Sequence, residues 1–309
     1  MPFVCPEGQR CPVEVHVDHD PGPGIKDFAC GKVTYNGHSG IDFRVEDLLA
    51  VAQGVPVVAA AAGTVETVQD DIRDHSPFDY DQAEAASSSV CGNRVVISHG
   101  PEWSTHYCHL RQGPSPVQVG QEVKAGDLLG YVGMSGSTNF PHFQFNLLHT
   151  PPGKRLDIDP FAPEGFDEVC SADISASAWS PRAQRQLAYV SPAIANLGFA
   201  AGAVTNRGIE NGTYKSTLPG ADSDAMVFYA RAIGLEAGDV QRLTILAPDG
   251  TVLVEETTDP LAKPRLQSFI FAGRRLRAER WPAGTYIGFY EVLRNGRVVL
   301  SAEDDLKIP

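Results

Sequence analysis

Three segments carry residues whose types and spacing could do chemistry. In NGHSGIDF, His38 and Asp42 are separated by three residues, with Gly40 between them leaving the backbone free to bend so that both side chains converge. An imidazole and a carboxylate are ligands that zinc takes in hydrolytic sites. In STHYCHL, His109 closes a strand-like run, with His106 three residues before it. In FPHFQFNL, strand alternation places His142, Gln144 and Asn146 on one face and Phe143, Phe145 and Leu147 on the other, so one face is polar, turned to a cleft or to solvent.

These segments need a scaffold, and the surrounding pattern is β. From Tyr35 to about Phe161 short β-branched runs are punctuated by glycine, as in PVVAAAAGTVETV, NRVVISHG, QEVKAGDLLGYVG and HFQFNLL, which reads as a compact antiparallel β domain. GVPVVAAAAGTVETV and VGQEVKAGDLLGYVG echo one another in the manner of a barrel-sandwich hairpin. Between Gln69 and Cys91 an acidic, Ser/Ala-rich stretch without strand period reads as a surface insertion that borders a groove. Residues 1–34 are loop-like and read as a disulfide-tied lead-in, 35–170 as the first β domain, 171–187 as a linker or short helix, and 188–309 as a second β domain. The latter has a Pro-Asp-Gly turn at 248–250 and Asn295-Gly296 at a hairpin tip, which predicts an immunoglobulin-like β-sandwich. The fold class is all-β.

Composition narrows the partners. The 309 residues carry a formal charge of −13, which lacks the footprint for nucleic-acid binding and would be repelled by anionic lipid. No run reaches the roughly 18 apolar residues of a membrane span. Any attachment to an anionic polymer must then rest on local contacts. Six cysteines, at 5, 11, 30, 91, 108 and 170, lie in the first 170 residues without a CxxC pair. They predict up to three disulfides, with Cys5 and Cys11 a local pair, and an oxidising compartment, periplasmic or extracellular. The chain begins MPFVCPEG, with neither a basic nor an apolar leader region, and is expected to be an already processed form.

In this order, GHSGIDF, GVPVVAAAAGTV, CGNRVVISHG, HYCHL, VGQEVKAGDLLGYVG and SGSTNFPHFQF resemble the lysostaphin-type (LytM-like) zinc metallopeptidases, over about Tyr35 to Phe161. The resemblance implies a duplicated hybrid motif β fold and hydrolysis of peptidoglycan stem or cross-bridge peptides. It implies zinc held by His38 and Asp42, and a catalytic pair His109 and His142, one accepting the proton of the attacking water and the other donating to the developing oxyanion. The chain departs from the family pattern at the third ligand, where Gln144 stands in place of a histidine. An amide oxygen is a harder and weaker zinc donor than imidazole.

Two functions follow. One is an exported zinc endopeptidase using His38, Asp42 and a weak Gln144. The other is a catalytically degenerate member whose groove docks peptidoglycan or a wall protein as a regulator. The second β domain fits either, presenting the first to the wall or serving as a partner surface. Among the remaining histidines, His99 reads as structural, His106 as pointing away from His109 by strand parity, and His75 and His149 as surface residues. His16, Asp18, His19 and Asp20 read as a solvated turn or a second metal site.

Overall fold

A computed structural model of the chain describes residues 1–3, 13–78, 90–165 and 170–309. Cys5, Cys11 and residues 79–89 of the acidic insertion lie outside the described residues. The chain divides into two compact units, Met1–Tyr189 and Val190–Pro309. Among the described residues no helix is long and apolar enough to cross a membrane.

The first unit is built on one antiparallel sheet. Its spine runs β1 (Val13–Val15), β2 (Ile41–Arg44), β9 (His142–His149), β6 (Trp103–Leu110), β5 (Asn93–Ser98), β4 (Gly63–Gln69) and β7 (Glu122–Val123). β10 (Leu156–Ile158) pairs with β9 off this path, and β3 (Pro56–Val58) with β8 (Leu128–Tyr131) forms a separate ribbon. The alternation of polar and apolar residues sorts the two faces. Ile41, Phe43, Phe143, Phe145 and Tyr107 point to the core, where Phe43 and Phe143 stack with centroids 5.0 Å apart. Ile174, Trp179, Ala183 and Leu187, from the stretch 171–187, fill the same core, partly through the short helix Pro181–Gln186.

The lead-in is not a solvated turn. Asp18 accepts backbone N–H bonds from Asp20 and Lys26 on Oδ1 and from Gly37 on Oδ2, and this holds its carboxyl below the usual range although burial opposes it. His19 Nε2 meets Asp159 Oδ2 at 2.7 Å, tying the lead-in to the end of the first unit's β region. The Cys30–Cys170 disulfide makes a second tie.

The second unit is a two-sheet sandwich. One sheet orders β11 (Ala193–Ala200), β12 (Ala225–Leu235) and β15 (Arg265–Arg275); the other orders β14 (Val252–Thr257), β13 (Val240–Leu246), β16 (Gly284–Arg294) and β17 (Arg297–Ile308). Asn295 and Gly296 both take positive φ, 53° and 75°, as the two-residue hairpin turn between β16 and β17 requires. Phe199, Phe228, Tyr286, Tyr290 and Trp281 fill the space between the sheets.

Candidate active site

Strand register assembles the site. Asp42 on β2 lies opposite Gln144 on β9, Gln144 lies opposite Cys108 on β6, and His142 lies opposite Arg44. Directly paired residues share a face, so Asp42, His142, Gln144 and Asn146 stand on the side of the sheet away from the aromatic core. That face is turned inward to a cleft: Asp42 and His142 are at most 3% exposed. Arg44 beside them is charge-matched by Glu14 of β1 at 2.6 Å and lies 5.2 Å from the Phe140 ring centroid.

The same register overturns the parity reading of His106. His106 pairs with Asn146, so it belongs to the polar face, and a regular strand would send His109 to the opposite one. His109 reaches the cleft because the strand ends there in a left-handed turn, φ 60°, a conformation non-glycine residues rarely adopt. Three bonds hold it. Its backbone N–H donates to Cys91 O at 2.8 Å, the Cys91–Cys108 disulfide closes the same corner, and its Nδ1 meets Ser135 O at 2.9 Å. Ser135 is fixed in turn, donating from Oγ to Leu110 O and accepting from Asn93 N, while Gly92 is required because a Cβ there would collide with Ser135 O.

The start of the acidic insertion straps the loop that carries Ser135. Asp74 accepts from Met134 N and Gln112 N, and His75 Nε2 donates to Gly136 O at 2.8 Å, so His75 is a strut rather than a free surface residue. His99 is structural, bridging Ala62 O and Thr105 Oγ1. His149 stacks on Trp103 and pairs with Glu102.

Four side chains converge. His38 Nε2 lies 3.4 Å from Asp42 Oδ1, and His142 Nε2 lies 3.8 Å from Asp42 Oδ2. The rings of His109 and His142 sit edge to face with centroids 4.7 Å apart. Burial alone would raise the Asp42 carboxyl, yet His142 and His38 beside it hold it below the ordinary carboxylate value. Burial, with the His142 ring adding, pushes His109 down to about 3. It is therefore neutral at pH 7, and because a backbone carbonyl only accepts, its proton sits on Nδ1 against Ser135 O and the lone pair on Nε2. His142 is oriented the same way, its Nδ1 donating to Phe140 O at 2.9 Å. His38 Nδ1 is met by the Tyr35 hydroxyl at 2.7 Å.

The Gln144 amide is also held in place. Asn146 Nδ2 donates to Ser39 O at 3.0 Å, which sets the orientation of its amide, and its Oδ1 accepts from Gln144 Nε2 at 2.8 Å. That relay turns the Gln144 carbonyl oxygen away from Asn146 and toward His109, whose protonated form it favours. Gly40 leaves the room for this: a Cβ there would stand 2.9 Å from Gln144 Cγ and Nε2 and from Asn146 Nδ2.

The donor set can be tested for a cation. His38 Nε2 and Asp42 Oδ1 are buried and without a hydrogen-bond partner, an arrangement that is costly unless a positive centre meets them. Among the described residues no group of three or more His, Cys, Asp or Glu is arranged to hold a metal, so a third donor would have to be the amide oxygen of Gln144. Two good donors and one weak one fit a zinc ion. His16, Asp18, His19 and Asp20 form no such group: His16 is buried among the rings of Phe28, Phe161 and Tyr189.

Residues 36–160 match the family model described as Peptidase family M23. An uncharacterized metalloprotease of Haemophilus influenzae is 34% identical over 110 residues, 36% of this chain and 18% of that protein. The cell division protein DipM of Caulobacter vibrioides is 29% identical over 110 residues, 35% of this chain and 15% of that protein. The peptidoglycan DD-endopeptidase ShyA of Vibrio cholerae is 32% identical over 111 residues, 36% of this chain and 20% of that protein. The chain thus matches a fifth or less of the length of each of these relatives.

Proposed function

Residues 36–160 are a domain of peptidase family M23, and from that premise we propose that this chain is a cell-wall peptidase, acting outside the cytoplasm on the peptide part of peptidoglycan. One observation carries the reading: His38 Nε2 and Asp42 Oδ1 converge, buried and unpartnered, beside two oriented imidazoles. A fold has no structural reason to gather a carboxylate and three histidines without satisfying them. The disulfides fit a periplasmic or extracellular setting, and the similarity to a peptidoglycan endopeptidase supports the substrate class.

His38, Asp42 and the carbonyl of Gln144 would hold the metal. A zinc ion there supplies Lewis acidity and lowers the pKa of water toward about 7. The remaining work falls to the chain's own groups. His109, with its proton fixed on Nδ1 by Ser135 O, presents Nε2 as a proton acceptor in the cleft. His142, held by Phe140 O and Thr138 Oγ1, presents Nε2 toward Asp42 and, when that nitrogen carries the ring's second proton, is placed to donate to the oxygen of a scissile carbonyl. Tyr35 steadies His38, and Asn146 fixes which face of the Gln144 amide meets the site.

A second reading is favoured by Gln144 itself. A site with two strong donors retains metal poorly, and the same groove then serves as a docking site for wall peptides or for a partner protein. Zinc content after reconstitution and dialysis, together with release of peptides from purified sacculi, separates the two. The peptidase reading expects close to one zinc per chain and measurable release. It also expects Gln144→His to tighten zinc by at least about 10-fold in a chelator competition, the scale on which ligand-shell changes act. A chain that retains no zinc and releases nothing, before and after Gln144→His, leaves the docking reading.

A further inference from the structure

The stretch 263–280 holds Lys263, Arg265, Arg274, Arg275, Arg277 and Arg280 against Glu279 alone, six cations to one carboxylate in a chain whose net charge is −13. Arg280 is paired with Asp222 at 3.0 Å. The other five are exposed, and among the described residues none of them makes an ion pair. Carboxylates are not scarce in this unit. Three of its other arginines use them, Arg231 with Glu210, Arg242 with Glu291, and Arg294 with Glu236 and Asp239. The cations on and beside β15 are left unmatched where acidic partners abound.

The strand that carries them has an outward apolar strip. β15 is the edge of the sheet β11-β12-β15. Ile270 and Ala272 face the sandwich core, so Arg265, Gln267, Phe269, Phe271, Gly273 and Arg275 alternate to the other side. Phe269 and Phe271 stack there, centroids 6.2 Å apart at 16°, and Phe271 is 44% exposed. The strip reads arginine, two parallel rings, arginine, over about 33 Å at the usual strand rise. Charge alone would suffice to protect a sheet edge from other strands. It does not explain an exposed Phe271 stacked on a Phe269 that packs on the outer cluster of Val227 and Tyr229, the pair held between guanidiniums.

We propose that this face of β15 binds a carboxylate-bearing glycan strand, in the form that peptidoglycan offers. The apolar faces of sugar rings would lie on Phe271 and the edge of Phe269, and the stem-peptide carboxylates would meet Arg265 and Arg275, whose planar guanidiniums match a carboxylate with two parallel bonds. Charge complementarity selects an anionic occupant, and the flat ring pair selects a surface that stacks rather than a headgroup layer. The inference rests on the wall reading for its substrate class but uses no residue of the metal-binding domain.

The test is pelleting of the full chain with purified peptidoglycan sacculi at low and high salt, with chelator present to prevent hydrolysis. The wild-type chain is expected to pellet at about 0.05 M salt and to be released at about 0.5 M, where exposed charges are screened. Phe271→Ala and the double change Arg265→Ala with Arg275→Ala each lower the apparent affinity by about 10-fold or more. All three positions are exposed, and unchanged melting curves exclude unfolding. His38→Ala pellets as the wild type does, so loss of the metal reading leaves this proposal standing. It is overturned if sacculi are not bound, if the β15 variants pellet like the wild type, or if phosphatidylglycerol vesicles are bound in place of sacculi.

Discussion

Both units bury charged side chains, and among the described residues only the first leaves some of their polar atoms without a partner. In the second unit Arg231, almost fully buried, donates from Nε and Nη2 to Asn196 Oδ1 and from Nη1 to Glu210, and Tyr290 donates to Gln241 Oε1, whose Nε2 donates to Ser268. No buried side-chain atom of that unit's described residues is left without a partner. In the first unit Asp42 and His38 are equally buried and face each other without completing a bond. A satisfied buried charge is part of a packing solution, whereas an unsatisfied one surrounded by oriented imidazoles marks a place kept for something else.

That contrast can be broken most severely at Arg231. Arg231→Ala leaves Glu210 buried and unmatched, and the second unit is expected to lose about 3–5 kcal/mol in urea unfolding, while the joint change Arg231→Met with Glu210→Leu recovers most of it. A loss below about 1 kcal/mol would deny that the network is structural. Cys91→Ser with Cys108→Ser opens a loop of 17 residues and is expected to lower first-unit stability by about 3 kcal/mol. The same variant should shift the His109 ring resonances, as a spectator disulfide would not.

His16 gives a pH test of intermediate size. Burial lowers it to about 4 from 6.5, outweighing the opposing pull of Asp27 and Asp159, with His38 and His19 adding to the lowering. A histidine whose folded pKa is depressed contributes stability that is complete above about 6.5 and declines as pH falls toward about 4, by up to about 3 kcal/mol. Acid titration of the melting temperature should show this decline, and His16→Phe should flatten it. The smallest effect belongs to the cluster. With chelator present, Asp42→Asn should cost about 1 kcal/mol or less, because the amide keeps the shape of the site and the charge it removes is held by His142 and His38 without a completed hydrogen bond. A cost of several kcal/mol would make Asp42 a structural residue like Glu210.

What could be read from the residues follows from how locally each feature is determined. The Asn295-Gly296 hairpin and the Pro-Asp-Gly turn are set by residue types, and both are found where those types stand. The polar and apolar faces of β9 follow from alternation alone. The arrival of His109 beside His142 does not, since no residue type announces a histidine with positive φ, and parity taken at face value misplaces His106. Gly40 reads as a hinge between two ligands and proves to be clearance for the Gln144 amide. The set at 16–20 reads as a solvated turn because Asp18 and His19 find partners more than 15 residues away, at Gly37 and Asp159.

The corner at His109 has a consequence for where this chain can be competent. The bond between Cys91 and Cys108 sits one residue from an imidazole held in an unfavourable backbone state, so a covalent bracket holds the conformation that the backbone alone would leave. Thiols in a reducing compartment would leave the bracket open and the histidine free to relax into an ordinary strand, away from its partner. Assembly of the centre is then tied to formation of that one bond.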